Sequence, residues 1–116
     1  MSSNQEHLLL SAVTDPDFRQ AEAALCQWIK TPKPLMLETL RELSPLQLQR
    51  LGYVVDMITR RGWVPRQSQK DLLAYLSPHQ AHPKALTLEQ QWQTDQIFSP
   101  GRLSQRLREN EKLAGF

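Results

Sequence analysis

The longest periodic run of apolar residues lies in the middle of the chain, between Pro45 and Arg61. On a helical wheel of about 100° per residue, its apolar positions form two adjacent stripes that cover more than half of the circumference. The stripes consist of Leu46, Leu48, Leu51, Tyr53, Val55, Met57 and Ile58. The remaining narrow polar strip consists of Gln49, Gly52, Asp56 and Arg60. A helix this apolar is normally covered by neighbours on two sides, so the pattern predicts the central element of a helical bundle.

Capping residues mark both ends of this helix. Ser44 fits the N-cap position, Gln47 completes a capping box, and Gly62 fits the C-terminal stop. After a short connection, a second helix is predicted from Arg66 to Leu76. The two helices and their turn have the order of a helix-turn-helix motif.

Shorter apolar patterns predict the other helices, most of which begin at a capping residue or a proline. Their expected spans are 3–14, 15–30, 35–43, 87–96 and 99–113. The last of these has only a thin apolar stripe, at Leu103 and Leu107. That helix therefore packs weakly, stays partly disordered or waits for a partner.

The predicted fold is all-α, because no segment shows the alternating pattern of a strand. We expect a compact bundle of about five to seven short helices around the central helix 45–61. The expected organisation is a helical bundle domain over residues 1–86 and a C-terminal helical arm over 87–116, which packs on the bundle or on a partner. A chain of 116 residues has the usual size of one domain with its own core.

Charge distribution, cysteine content and the absence of long apolar segments indicate where in the cell the protein is expected. The net charge of +2 is mild, but the segment 44–84 carries net +4 while 1–43 carries net −2. The single cysteine, Cys26, fits a reducing compartment. The first residues lack the pattern of a secretory signal, and no segment approaches the roughly 18 consecutive apolar residues that span a bilayer. The expected location is the cytoplasm, without a membrane partner.

No catalytic signature is present among the known nucleotide-binding, hydrolase and metalloprotease motifs. Cys26 lies at the edge of an apolar helix face, as a packed cysteine does. His79 and His82 are two ligands at most, whereas a zinc site needs three or four. Asp56 is expected to pair with Arg60 one turn away. These observations predict a non-enzyme with no cofactor, no metal and no small-molecule substrate.

The Ser-Pro and Thr-Pro pairs are candidate phosphorylation sites. A hydroxyl residue followed by proline is also the preferred opening of a helix, which is the interpretation we favour. These pairs begin at Thr31, Ser44, Ser77 and Ser99. They add no functional site to the prediction.

The basic junction between the two central helices is the strongest functional signal in the sequence. Its predicted partner-binding residues are Arg60, Arg61, Trp63, Arg66 and Lys70. Arginine beside tryptophan is the composition of an anchor in a protein interface. The favoured function is therefore a protein interaction module, as an adaptor or a regulatory or assembly subunit of a larger cytoplasmic complex.

Nucleic-acid binding is the alternative for the same junction. Residue types that contact bases and phosphates occur at the start of the second helix. The candidate residues are Arg50, Arg66, Gln67, Gln69 and Lys70. A helix-turn-helix-like DNA-binding regulator or accessory protein would use them, although the first helix is long for such a motif and the turn holds a bulky Trp63.

The C-terminal arm bears on the choice of partner. Its large apolar residues are isolated among charges, so the arm could wrap its own bundle or lay a helix into the groove of another protein. Homodimerisation through residues 99–116 would satisfy both possibilities. No motif matches a known family residue by residue, so no function is carried over from a resemblance.

Overall fold

Seven α-helices form the regular structure of the described residues, and no strand occurs among them. The computed structural model describes the backbone of residues 3–33, 35–95 and 98–114, and the side chains of 8–33, 35–95 and 98–108. The helices are α1 (Ser3–Thr14), α2 (Phe18–Lys30), α3 (Leu37–Leu40), α4 (Pro45–Arg60), α5 (Lys70–Leu76), α6 (Leu88–Trp92) and α7 (Pro100–Ala114). The all-α prediction is confirmed.

Helix α4 is the centre of the molecule. All nine residues from 51 to 59 are buried, so neighbours cover this stretch on every side. At its start, the Ser44 hydroxyl accepts from the Gln47 backbone N–H at 3.2 Å, and the Gln47 side chain accepts from the Ser44 backbone N–H at 3.0 Å. At its end, Gly62 adopts a left-handed φ of 76°, a backbone conformation that favours glycine. The predicted capping box and stop are confirmed.

Contacts between the helices place α4 among several neighbours. Helices α1 and α2 pack against each other, and α1, α5 and α6 each contact α4. Helix α7 packs on α2. The largest fully buried side chains belong to Trp28, Trp92, Tyr53 and Phe98. Among the helices in the described part of the chain, none is long and apolar enough to cross a membrane.

Several predicted helix boundaries differ from the structure for local reasons. Helix α2 begins at Phe18 and not at Asp15, because the Asp17 carboxylate caps it by accepting from the Arg19 N–H at 3.0 Å. Helix α6 ends at Trp92, because Gln93 turns to a left-handed φ of 49°. The segment Arg66–Gln69 is a 3₁₀ turn ahead of the seven-residue α5.

Two apolar predictions were wrong at the start of the short helix α3 and of α4. The apolar spacing of 35–43 predicts a buried side made of Leu37, Leu40 and either Leu43 or Met36. Helix α3 is four residues long, and Leu35 and Leu40 are buried while Leu37 and Met36 are exposed. Leu46, which the wheel assigns to the covered side of α4, lies in the first turn of the helix and is 42% exposed. Ser3 and Glu6 have the spacing of a capping box, but both residues lie outside the described side chains.

Helix α7 docks on the bundle through apolar and charged contacts. Leu103 is fully buried, and the ring of Phe98, just before the helix, stacks on Phe18 at a centroid distance of 5.2 Å. Arg102 and Arg106 place their Nε atoms 3.2 and 2.9 Å from Oε1 of the fully buried Glu22 on α2. Neither contact has the angles of a hydrogen bond, so charge attraction supplies the pairing.

Candidate functional site

Asp56 organises the basic junction. Its carboxylate is buried on α4, where Oδ1 accepts from Arg60 Nε at 2.8 Å and from Arg66 Nη1 at 3.0 Å. Its Oδ2 accepts from Trp92 Nε1 at 3.1 Å. We call Asp56, Arg60, Arg66 and Trp92 the Asp56 cluster. The predicted pair of Asp56 and Arg60 is confirmed, but it belongs to a larger buried network.

The polar strip of α4 is the surface on which α6 docks. Trp92 of α6 lies directly over Gly52, and a Cβ built on Gly52 would overlap the six-membered ring of the indole. One turn later on α4, Asp56 accepts the indole N–H. The helical wheel assigned this strip to solvent, because a glycine and an aspartate look polar in a sequence. In the structure, the missing side chain of Gly52 makes room for the indole, and the carboxylate four residues later accepts the indole N–H.

The charges in the Asp56 cluster do not balance. Burial alone raises the pKa of Asp56, but hydrogen bonds from Arg60, Trp92 and Arg66 outweigh it and hold the pKa below its usual range. One negative charge therefore faces two arginines, whose side chains are 54% and 52% exposed. Each guanidinium has five N–H donors and uses one or two of them here. Asp56 fixes two arginines in place and leaves a net positive charge at the surface.

A groove of about 810 Å³ lies beside the cluster, between α4, the start of α6 and the start of α7. One wall is formed by Arg60, Arg61 and Trp63. The remaining lining includes Tyr53, Met57, Leu88, Glu89 and Pro100. Burial, the charge of Glu89 and a long 3.5 Å hydrogen bond to that carboxylate raise the pKa of Tyr53 to about 12, so this phenol stays neutral at physiological pH.

A second, shallower pocket of about 310 Å³ is lined by Arg66, Gln67, Lys70 and Leu73. Arg60 of the groove and Arg66 of the pocket both bind Oδ1 of Asp56, so the two concave surfaces adjoin at that carboxylate. The five residues predicted to bind a partner thus lie on two adjoining concave surfaces. Their role in binding stays a prediction.

The structure separates the five residues of the nucleic-acid alternative. Arg50 binds both carboxylate oxygens of Asp95, at 2.7 and 2.8 Å, and donates to the Val13 carbonyl at 3.2 Å. Gln69 is buried. The other three residues, Arg66, Gln67 and Lys70, are exposed and share the shallow pocket.

The other chemical candidates of the sequence lie apart from this site. Cys26 is buried in the core, and burial is the main cause that raises the pKa of its thiol. The His79 ring lies against Tyr75 at a centroid distance of 6.2 Å. Within residues 8–33, 35–95 and 98–108, no group of three or more His, Cys, Asp or Glu side chains could hold a metal ion.

Comparison with known proteins provides no relative for this chain. No protein-family model, no curated protein and no solved structure matches it. Any functional inference therefore depends on the geometry of the described residues.

Proposed function

We propose that this protein is a non-enzymatic interaction module whose groove and shallow pocket bind an acidic segment of another protein. The observation that carries the proposal is the wall formed by Arg60, Arg61 and Trp63. Such a module would act as an adaptor or as a regulatory or assembly subunit of a larger complex. Its one cysteine, buried and unpaired, suits the reducing environment of the cytoplasm.

Charge supports an acidic partner. Arg61 is exposed and forms no ion pair with any acidic residue in the described part of the chain. Arg60 and Arg66 are already oriented by Asp56, so a carboxylate of the partner binds them without ordering two long side chains. This preorganisation reduces the entropy cost of association.

Partly exposed apolar side chains in the groove support a protein as the partner. Trp63 and Leu88 are partly exposed inside the groove, next to the arginines. An aromatic residue beside arginine is typical of the energetic centre of a protein interface. The expected ligand is a segment that carries a large apolar side chain next to Asp or Glu.

The local fold of the basic junction disfavours a nucleic acid at this surface. Gln69 is buried, and residues Arg66–Gln69 form a 3₁₀ turn and not the first turn of an exposed helix. Base contacts normally come from a helix that enters the major groove.

Selection of peptides on the purified protein tests the proposal. A random-peptide display library is selected on the wild type, and the affinities of the enriched peptides are measured by fluorescence polarisation. We expect peptides with Asp or Glu beside an aromatic or leucine residue, and a loss of affinity of about tenfold or more for Arg61→Glu and for Trp63→Ala. Binding is expected to weaken at high salt.

The matched control is Arg19→Glu, which reverses an exposed arginine on α2 and is expected to leave the affinity unchanged. Enriched peptides without acidic residues, or peptides insensitive to Arg61→Glu, would refute the acidic ligand. A titration with mixed-sequence duplex DNA at low salt completes the test. Tight, strongly salt-dependent binding that is lost in Lys70→Glu would favour the nucleic-acid alternative instead.

A further inference from the structure

Leu86 is the most exposed large apolar side chain in the described part of the chain. It is 96% exposed and directly precedes Thr87, the N-cap of α6. A single exposed leucine is common on protein surfaces. Leu86 differs from that ordinary case because a concave surface lies immediately beside it and because the loop that carries it is held in place.

Hydrogen bonds hold this loop against α6. The His82 backbone N–H donates to the Gln91 carbonyl at 3.0 Å, and the Gln91 side chain donates to the Ala85 carbonyl at 2.8 Å. The Ala85 N–H in turn donates to the His82 carbonyl at 3.0 Å. Leu86 therefore projects from a fixed position, and ordering of the loop adds little entropy cost to any contact that it makes.

The neighbouring concave surface has a volume of about 890 Å³. Its mostly apolar lining includes Ala81, Pro83 and Ala85, the residue next to Leu86 in the chain. We call it the loop pocket. The exposed Leu86 side chain and the loop pocket thus lie side by side on one patch. A two-fold interface requires such an arrangement, because the two copies present the same surface to each other.

Charge on this patch is also self-complementary. Lys84 and Glu89 both line the loop pocket. Across a two-fold axis, Lys84 of each copy can face Glu89 of the other, which gives two ion pairs of opposite direction. We propose that a second copy of this chain occupies the loop pocket, with Leu86 of each copy inserted into the pocket of the other.

This interface is independent of the proposed acidic ligand. The loop pocket and the groove share only Glu89 in their linings, so the wall of Arg60, Arg61 and Trp63 stays open in the dimer. Each copy contributes one side chain and one pocket, so we expect a weak dimer, in the class of small transient interfaces.

Sedimentation equilibrium of the full chain, from about 10 µM to about 1 mM, tests the proposal. The wild type is expected to shift from the monomer mass toward twice that mass, and Leu86→Asp to remain a monomer throughout. Leu86 has almost no contacts to lose, so the thermal melt of the variant at low concentration should match the wild type. The matched control is Met36→Asp, which adds the same charge at another exposed apolar side chain and should dimerise as the wild type does.

A charge exchange tests the two-fold geometry. Lys84→Glu alone and Glu89→Lys alone each place like charges opposite each other in a homodimer, so each should dimerise about tenfold more weakly. An equimolar mixture of the two variants restores both ion pairs and should form a heterodimer. A wild type that stays monomeric at about 1 mM, a Leu86→Asp variant that still dimerises, or a mixture no tighter than its components would each overturn the proposal.

Discussion

At the scale of single residues, Asp56 divides the arginines of the junction into two kinds. Arg60 and Arg66 bind its buried carboxylate and so take part in the fold. Arg61 and Lys70 form no ion pair within the described residues. One carboxylate does not balance the two arginines that it binds, so the proposed acidic partner would neutralise this excess together with the charges of Arg61 and Lys70.

The contact between Gly52 and Trp92 leads to a first prediction. Gly52→Ala places a methyl group where the indole ring now lies, so Trp92 must move and weaken its hydrogen bond to Asp56. Overpacking of this kind costs about 1–3 kcal/mol, although alanine is the better helix former. Urea denaturation followed by circular dichroism would measure the loss of free energy of unfolding.

Gly101 provides the matched control for that substitution. It also lies in a helix, but a Cβ at this position would meet only the Ser99 hydroxyl at 3.9 Å. Gly101→Ala should be neutral or slightly stabilising. Equal effects of the two substitutions would mean that Trp92 does not pack on Gly52.

At the scale of elements, α7 depends on one buried carboxylate as much as on its few apolar side chains. Glu22 is completely buried on α2, and its only ion-pair partners among the described residues are Arg102 and Arg106 of α7. A buried charge without a partner is far more costly than a buried apolar group. The two arginines therefore tie the position of α7 to that of α2.

The second prediction concerns this pair of arginines. The double variant Arg102→Ala with Arg106→Ala leaves Glu22 buried without compensation, and we expect a loss of about 3 kcal/mol in the free energy of unfolding. Adding Glu22→Met should recover most of that loss, because an apolar side chain of similar size needs no partner. Both values come from urea denaturation at neutral pH.

Arg108→Ala is the control, since Arg108 is exposed and its hydrogen bond to Ser104 is long at 3.4 Å. It should change stability little. If the double variant were as stable as this control, α7 would contribute no electrostatic anchor, and the hypothesis of a loosely packed C-terminal arm would regain support.

At the scale of the whole molecule, the sequence predicted the individual helices better than the contacts through which they pack on one another. The all-α class and the central position of α4 follow from apolar periodicity and capping, which are local properties. The docking of α6 and α7 could not be derived in this way, because it depends on polar residues. Asp56, Glu22 and Gly52 look like surface positions on a wheel, yet each is buried against a residue more than 35 positions away.

In the candidate site, too, contacts between residues far apart in the sequence could not be predicted. The basic junction was visible in the sequence as a cluster of cations around Trp63. Which of those cations are free depends on Asp56, whose burial requires Trp92 from a distant helix. Arg50 likewise binds Asp95, which lies 45 positions later in the sequence. Local sequence patterns do not predict a contact over that separation.

The Asp56 cluster also predicts how the stability of the whole protein depends on pH. In the unfolded chain this carboxyl titrates near the ordinary aspartate pKa of 3.8, whereas in the folded protein hydrogen bonds from Arg60, Trp92 and Arg66 hold the pKa lower. The stabilisation is therefore fully present above pH 3.8 and is lost as the pH falls through the folded pKa. One such group contributes a slope of at most about 1.4 kcal/mol per pH unit.

Urea denaturation at a series of pH values from neutral to acid, on the wild type and on Asp56→Asn, would isolate this contribution. The Asp56→Asn variant should be less stable at neutral pH and should lose less stability in acid, because it has no proton to gain at this position. Some acid sensitivity remains, since Arg50 also holds the pKa of Asp95 below its usual range. Asp71→Asn, at an exposed carboxyl on α5, is the matched control. Parallel profiles for Asp56→Asn and the wild type would instead mean that the pKa of Asp56 is the same in the folded and unfolded states, so that this carboxyl adds nothing to the acid sensitivity of the protein.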